Sequence, residues 1–159
     1  MRTNRGRGET NLNILFVCTG NTCRSPMAAG IFNKIMAEKK LSKISAQSAG
    51  IAADNVSGAT ENAIIACEKI NVDLRSHVSR SIFDVNPNDI DKFVVMARIQ
   101  REFLVNLGID SEKIYVLGDE IPDPFGGDLK VYEDCRDRIE EAVKSLIKTW
   151  RLGEKDAKL

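Results

Sequence analysis

Two cysteines, a glycine, an arginine and a serine crowd into one short stretch, Phe16–Met27, FVCTGNTCRSPM. Six positions separate Cys18 from Arg24, and Ser25 and Pro26 follow. An apolar run precedes this stretch, and a helix is expected after it, with Ser25 as its N-cap and Pro26 in the first turn. A loop between a strand end and a helix start presents successive backbone N–H groups, which wrap an anion. Gly20 lets that loop turn tightly or approach a ligand closely. Arg24 adds a planar fork that can hold two phosphate oxygens. Cys18 stands at the mouth of this cradle. A thiol beside an arginine and a helix N-terminus is expected to be a thiolate at neutral pH, placed to attack a bound phosphorus atom. Ser25 can hydrogen-bond that sulfur when it later leaves. The bland alternative is a buried cysteine at a strand end and a surface arginine.

The elements that must position these residues alternate along the chain. Short apolar runs at Asn13–Cys18, Ile44–Ser48, Lys92–Met96 and Ile114–Leu117 read as strands, the first and third buried on both faces. Helical spacing covers Met27–Lys40, Thr60–Ile70, Arg98–Leu107 and Tyr132–Trp150. Strand–helix alternation of this kind predicts an α/β fold, a parallel sheet with helices on both faces. Ligands of such sheets bind at the strands' C-terminal edge, where the Cys18–Arg24 loop falls. Residues 1–11 and 151–159 read as tails around one domain, 12–150.

The 159 residues carry 23 Lys+Arg and 23 Asp+Glu, so no net charge argues for nucleic acid or an anionic membrane as partner. No apolar run approaches the roughly 18 residues of a membrane span. The N-terminus lacks the apolar core of a secretory signal. The expectation is a cytoplasmic protein whose four cysteines are reduced thiols. One histidine and no Cys-x-x-Cys pair make a structural zinc site improbable. Cys67 and Cys135 read as inert packing residues. Cys23 has two open readings: a partner that traps Cys18 as a disulfide under oxidation, or a small buried residue.

The run Cys18-Thr-Gly-Asn-Thr-Cys-Arg24-Ser-Pro resembles the signature of the low-molecular-weight protein tyrosine phosphatases, and Asp123-Pro124-Phe125 is similar to that family's distal Asp-Pro-aromatic motif. The resemblance covers about residues 12–150. It implies a three-layer sandwich around a four-stranded parallel sheet, no metal or cofactor, phosphorylated protein substrates, inorganic phosphate or other oxyanions in the loop, and a phosphocysteine intermediate. It implies Cys18 as nucleophile, Arg24 as phosphate and transition-state ligand, and Asp123 as general acid and then base. The phosphate-binding loop would run over Thr19, Gly20, Asn21, Thr22, Cys23 and Arg24. Asn21 and Ser25 would shape that loop, with His77 hydrogen-bonded to the asparagine. From the residues alone, Asp123 lies between prolines outside regular structure, where it reads equally as a turn.

Thr22 stands where the tyrosine phosphatases usually carry an aliphatic residue. Phe125 is followed by two glycines, and the loop after Gly50 has no aromatic. These features resemble the bacterial protein arginine phosphatases of the same family. A guanidinium leaving group gains from a nearby hydroxyl and carboxylate, whereas a phenol gains most from two aromatic faces. Thr22 and Phe125 are thus the expected substrate selectors, with phosphoarginine favoured over phosphotyrosine. Two rivals share the loop. A thioredoxin-coupled arsenate reductase needs two further cysteines close together. A non-catalytic phosphate carrier needs neither Arg24 nor Asp123.

Overall fold

The structure, a computed structural model, describes residues 11–154. The expected tail over 1–11 lies outside these, except for Asn11. Four strands, β1 (Leu12–Cys18), β2 (Ile44–Gly50), β3 (Lys92–Val95) and β4 (Ile114–Val116), form one parallel sheet in the order β2-β1-β3-β4. The helices are α1 (Arg24–Glu38), α2 (Glu61–Glu68), α3 (Arg98–Asn106) and α4 (Leu129–Thr149). This is the α/β architecture expected from the alternation.

β1 runs down the middle of the sheet, and its period-two alternation sorts the core into two layers. Ile14, Phe16 and Cys18 face the layer built with α1, α2 and α4, where Phe32 and Ile139 are fully buried. Leu15 and Val17 face the other layer, built with α3 and the turn at Ile82–Asp84, where Phe93 and Leu104 are buried. Central strands covered on both faces need continuous apolar sequence, which is why NILFVC and KFVV carry no alternation.

Element boundaries shift in three places that bear on function. α1 begins at Arg24, not Met27, and Cys23 holds the cap position with no side-chain cap. Ser25, expected as the cap, lies inside the first turn. α4 begins at Leu129, where Asp128 accepts a hydrogen bond from the Val131 N–H at 3.1 Å. The packed chain also runs past 150: Leu152 is buried against the core, so the expected C-terminal tail starts too early.

Candidate active site

β1 ends at Cys18 in the sheet interior, the chain crosses residues 19–23, and α1 starts at Arg24. The loop's peptides are oriented by their surroundings. The Cys18 carbonyl accepts from the Ile51 N–H at 3.0 Å and the Thr19 carbonyl from Ala52 at 2.9 Å. The Thr22 carbonyl accepts from Thr60 at 3.0 Å. His77 Nε2 lies 2.7 Å from the Asn21 carbonyl oxygen. In a trans peptide the N–H points opposite to the C=O. Four carbonyls drawn into the scaffold therefore turn the N–H groups of Thr19, Gly20, Thr22 and Cys23 away from those partners.

Asn21 is the keystone of this loop. It is buried, with φ of 58°, a left-handed conformation that asparagine tolerates better than most residues. From the sequence, Gly20 was to allow either the tight turn or a close approach to a ligand. The structure gives the turn to Asn21, and a Cβ at Gly20 would meet only Thr22 Oγ1 at 3.7 Å. The Asn21 side chain donates to Ser25 Oγ at 2.8 Å and Ser48 Oγ at 3.0 Å, and accepts from the Arg80 N–H at 2.8 Å.

Cys18 Sγ lies 2.8 Å from Ser25 Oγ and accepts from the Asn21 N–H at 3.3 Å. The expected thiolate is corrected here. Burial pushes the Cys18 thiol up from its ordinary value, and it outweighs the Ser25 hydroxyl, the Ser25 N–H, the Arg24 charge and the Asn21 N–H, which all pull down. Arg24 spends part of its fork elsewhere: Nη1 donates to the Ile121 carbonyl at 3.0 Å and Nη2 stands 3.8 Å from the Asp123 carboxylate.

Asp123 is exposed on the loop between β4 and α4, and its carboxylate accepts from the Phe125 N–H at 3.0 Å. With Phe125, it completes a cleft of about 220 Å³ whose remaining lining is residues 18–24. Phe125 is 73% exposed, an aromatic ring left free beside the cleft mouth. Thr22 sits half-buried in the same cleft.

Cys23 Sγ lies in a ring of hydroxyls, 3.6 Å from Thr22 Oγ1, 3.5 Å from Thr60 Oγ1 and 3.4 Å from the Tyr132 hydroxyl. Burial, with Cys23 next, pushes Tyr132 up to about 12. Cys67 and Cys135, 68 positions apart, lie on α2 and α4, which pack together. Burial pushes both thiols up to about 12. Among the described residues no cluster of three or more His, Cys, Asp or Glu could hold a metal, and no helix is long and apolar enough to cross a membrane.

Several supports escaped sequence reasoning. Gly50 ends β2 directly beneath the loop: a Cβ there would lie 2.5 Å from the Thr19 carbonyl oxygen and 3.0 Å from Asn21. Ser48 and Arg80 reach Asn21 from β2 and from the segment after His77. Only a small-residue run, Ser48-Ala49-Gly50, hinted at the first of these contacts.

The model of the family described as low molecular weight phosphotyrosine protein phosphatase matches residues 13–157. A protein-arginine-phosphatase of Bacillus subtilis is 32% identical over 145 residues, covering 86% of this chain and 95% of that protein. An arsenate reductase of Bacillus cereus is 30% identical over 142 residues, covering 89% and 98%. Among solved structures, a crystal structure of a YwlE mutant from Bacillus subtilis superposes with a TM-score of 0.82 at 30% identity, covering 88% of this chain and 99% of that one. With its cysteine–arginine loop at the edge of a four-stranded parallel sheet, this chain belongs to the low molecular weight phosphotyrosine protein phosphatase family and is a cysteine-dependent protein phosphatase.

Proposed function

We propose that the cleft hydrolyses phosphorylated side chains of proteins, phosphoarginine ahead of phosphotyrosine, with Cys18, Arg24 and Asp123 as its catalytic residues. The observation that carries this reading is the convergence of a buried sulfur, the backbone of residues 19–23, Arg24 and Asp123 on one cleft. The phosphoryl oxygens sit among the loop N–H groups and the Arg24 fork. Their negative charge makes them the nearest base for the Cys18 proton, so the reacting pair is a thiolate and a phosphoryl monoanion. Sulfur attacks phosphorus, the bond to the leaving nitrogen or oxygen breaks, and the Asp123 carboxylic acid protonates that atom. Asp123, now a carboxylate, takes a proton from water as the water oxygen attacks the phosphocysteine. Sulfur departs stabilised by the Ser25 hydroxyl and the Asn21 N–H. Asn21, held by Ser48, Arg80 and His77, keeps the loop in shape throughout.

Thr22 and Phe125, the one aromatic among the described residues that line the cleft, support the phosphoarginine preference. The cleft lining carries one aromatic ring, Phe125, together with the Thr22 hydroxyl and the Asp123 carboxylate, which suit a planar polar group on a thin stem. An arsenate reductase relay needs reactive thiols beyond the loop. Cys67 and Cys135 are buried and neither lines the cleft, and burial holds both thiols up at about 12. A site working on intracellular phosphoproteins with four free thiols fits the reducing cytoplasm.

The test is hydrolysis of p-nitrophenyl phosphate without added metal, followed by kcat/KM on a phosphoarginine protein and a phosphotyrosine peptide. Cys18→Ser is expected to retain phosphate binding and fall to at most a few per cent of the unaltered turnover. Turnover above that level removes Cys18 as nucleophile. A higher kcat/KM on phosphotyrosine overturns the substrate preference alone.

A further inference from the structure

Gln100 takes no part in the chemistry above, yet it is 1% exposed, and a buried amide is costly unless its hydrogen bonds are made. It stands in the first turn of α3. Its Oε1 accepts from the Met96 N–H at 2.9 Å and from the Ala97 N–H at 2.7 Å. Two N–H donors on one side fix which way the amide faces: oxygen toward them, NH2 away. Nε2 then donates to Thr19 Oγ1 at 3.2 Å. Thr19 is exposed and lines the cleft. A hydroxyl that accepts from a fixed donor must place its own proton elsewhere, and the open side of Thr19 is the cleft.

The same amide is joined to the far end of the loop. The Met96 carbonyl accepts from the Ile121 N–H at 2.8 Å, and the Ile121 carbonyl accepts from Arg24 Nη1 at 3.0 Å. A line of hydrogen bonds thus runs from Thr19 through Gln100, Met96 and Ile121 to Arg24, and Ile121 stands two residues before Asp123.

We propose that Gln100 is a positioning residue for the anion cradle: it holds the Thr19 hydroxyl with its proton toward the cleft, making that hydroxyl a side-chain donor to a bound oxyanion. The proposal rests on the cradle reading given above. Thr19 is the group that touches the anion, and Gln100 acts through it.

The experiment uses the full chain and inorganic phosphate as probe, reading the competitive inhibition constant against p-nitrophenyl phosphate hydrolysis alongside the melting temperature. Thr19→Val and Gln100→Met should each raise that constant about tenfold or more, the scale of a lost hydrogen bond to a charged group. The double variant should go no higher than the worse single one, because both remove the same contact. Thr19→Ser, which keeps the hydroxyl, should stay within about twofold of the unaltered protein. If Gln100→Met fails to fold, Gln100→Glu keeps an oxygen for the Met96 and Ala97 N–H groups and takes the Thr19 proton away from the cleft. Its effect should then shrink on the Thr19→Val background. Additive effects, or a Gln100 variant that lowers the melting temperature and leaves the constant unchanged, overturn the proposal alone. Absence of competitive inhibition in the unaltered protein overturns the cradle reading and the proposal with it.

Discussion

At the residue scale, the sulfur of Cys18 is governed by two opposed effects. Burial in the sheet interior raises its pKa, and the Ser25 hydroxyl leads the contacts that lower it. Removing that hydroxyl leaves burial less opposed, so Ser25→Ala should raise the pKa further. Less thiolate is then present at any given pH, and the pH profile of iodoacetamide alkylation should move to higher pH. A profile that stays put or moves down would show that Ser25 does not stabilise the thiolate. Thr22 belongs at this scale as well. Thr22→Ile removes a hydroxyl and adds apolar bulk beside the leaving group while Cys18, Arg24 and Asp123 stay in place. The ratio of kcat/KM for phosphoarginine to that for phosphotyrosine should fall about ten- to hundredfold, the range expected when a hydrogen bond to a charged group is lost. A ratio that changes by less than about twofold means Thr22 does not select the substrate.

At the element scale, the loop keeps its shape because the end of β2 passes directly beneath it. Gly50 pairs with Cys18 in the parallel ladder, and its missing side chain leaves room for the Thr19 carbonyl and for Asn21. Gly50→Ala puts a methyl 2.5 Å from a backbone oxygen that two elements hold in place. The strands cannot part without breaking ladder bonds, so the loop must move. The expected cost is about 1–3 kcal/mol of stability from overpacking. Phosphate affinity should fall with it, because the displaced N–H groups belong to the cradle. Calorimetric melting and phosphate titration on the same variant check this. Lost stability with unchanged affinity would show that the loop absorbs the methyl elsewhere.

At the scale of the whole molecule, the site occupies the C-terminal edge of the sheet, and the opposite end is closed by aromatic packing. Trp150 stacks edge-on against Tyr115 with ring centroids 5.1 Å apart, and Lys92 Nζ lies 4.9 Å from its ring centre. Trp150→Ala should destabilise the fold by about 3–5 kcal/mol while leaving phosphate affinity near that of the unaltered protein at temperatures where the variant stays folded. A parallel loss of affinity would mean the two ends of the sheet are coupled. This separation also marks what could be read directly from the chain. The strand order of events, the buried central strands and the loop from Cys18 to Arg24 were legible because apolar periodicity and helix-start chemistry are local properties. The Asp123 motif was legible as a turn, and its place in the cleft followed from resemblance, not from spacing. Nothing local says that Gly50, Ser48, Arg80 and Gln100 meet loop residues 27 to 81 positions away from them, since such contacts arise only when parallel strands bring distant edges together. Ser25 was misread as a cap because its residue type suits one, whereas the fold places the cap two residues earlier, at Cys23, and turns the hydroxyl to sulfur. The sequence by itself determined that a thiol, an arginine and a hydroxyl, Cys18, Arg24 and Ser25, follow one another at a single junction between a strand and a helix. The tertiary structure decided that burial pushes the Cys18 thiol up and which partners the loop's carbonyls meet, because burial and long-range hydrogen bonds depend on which distant segments surround each atom.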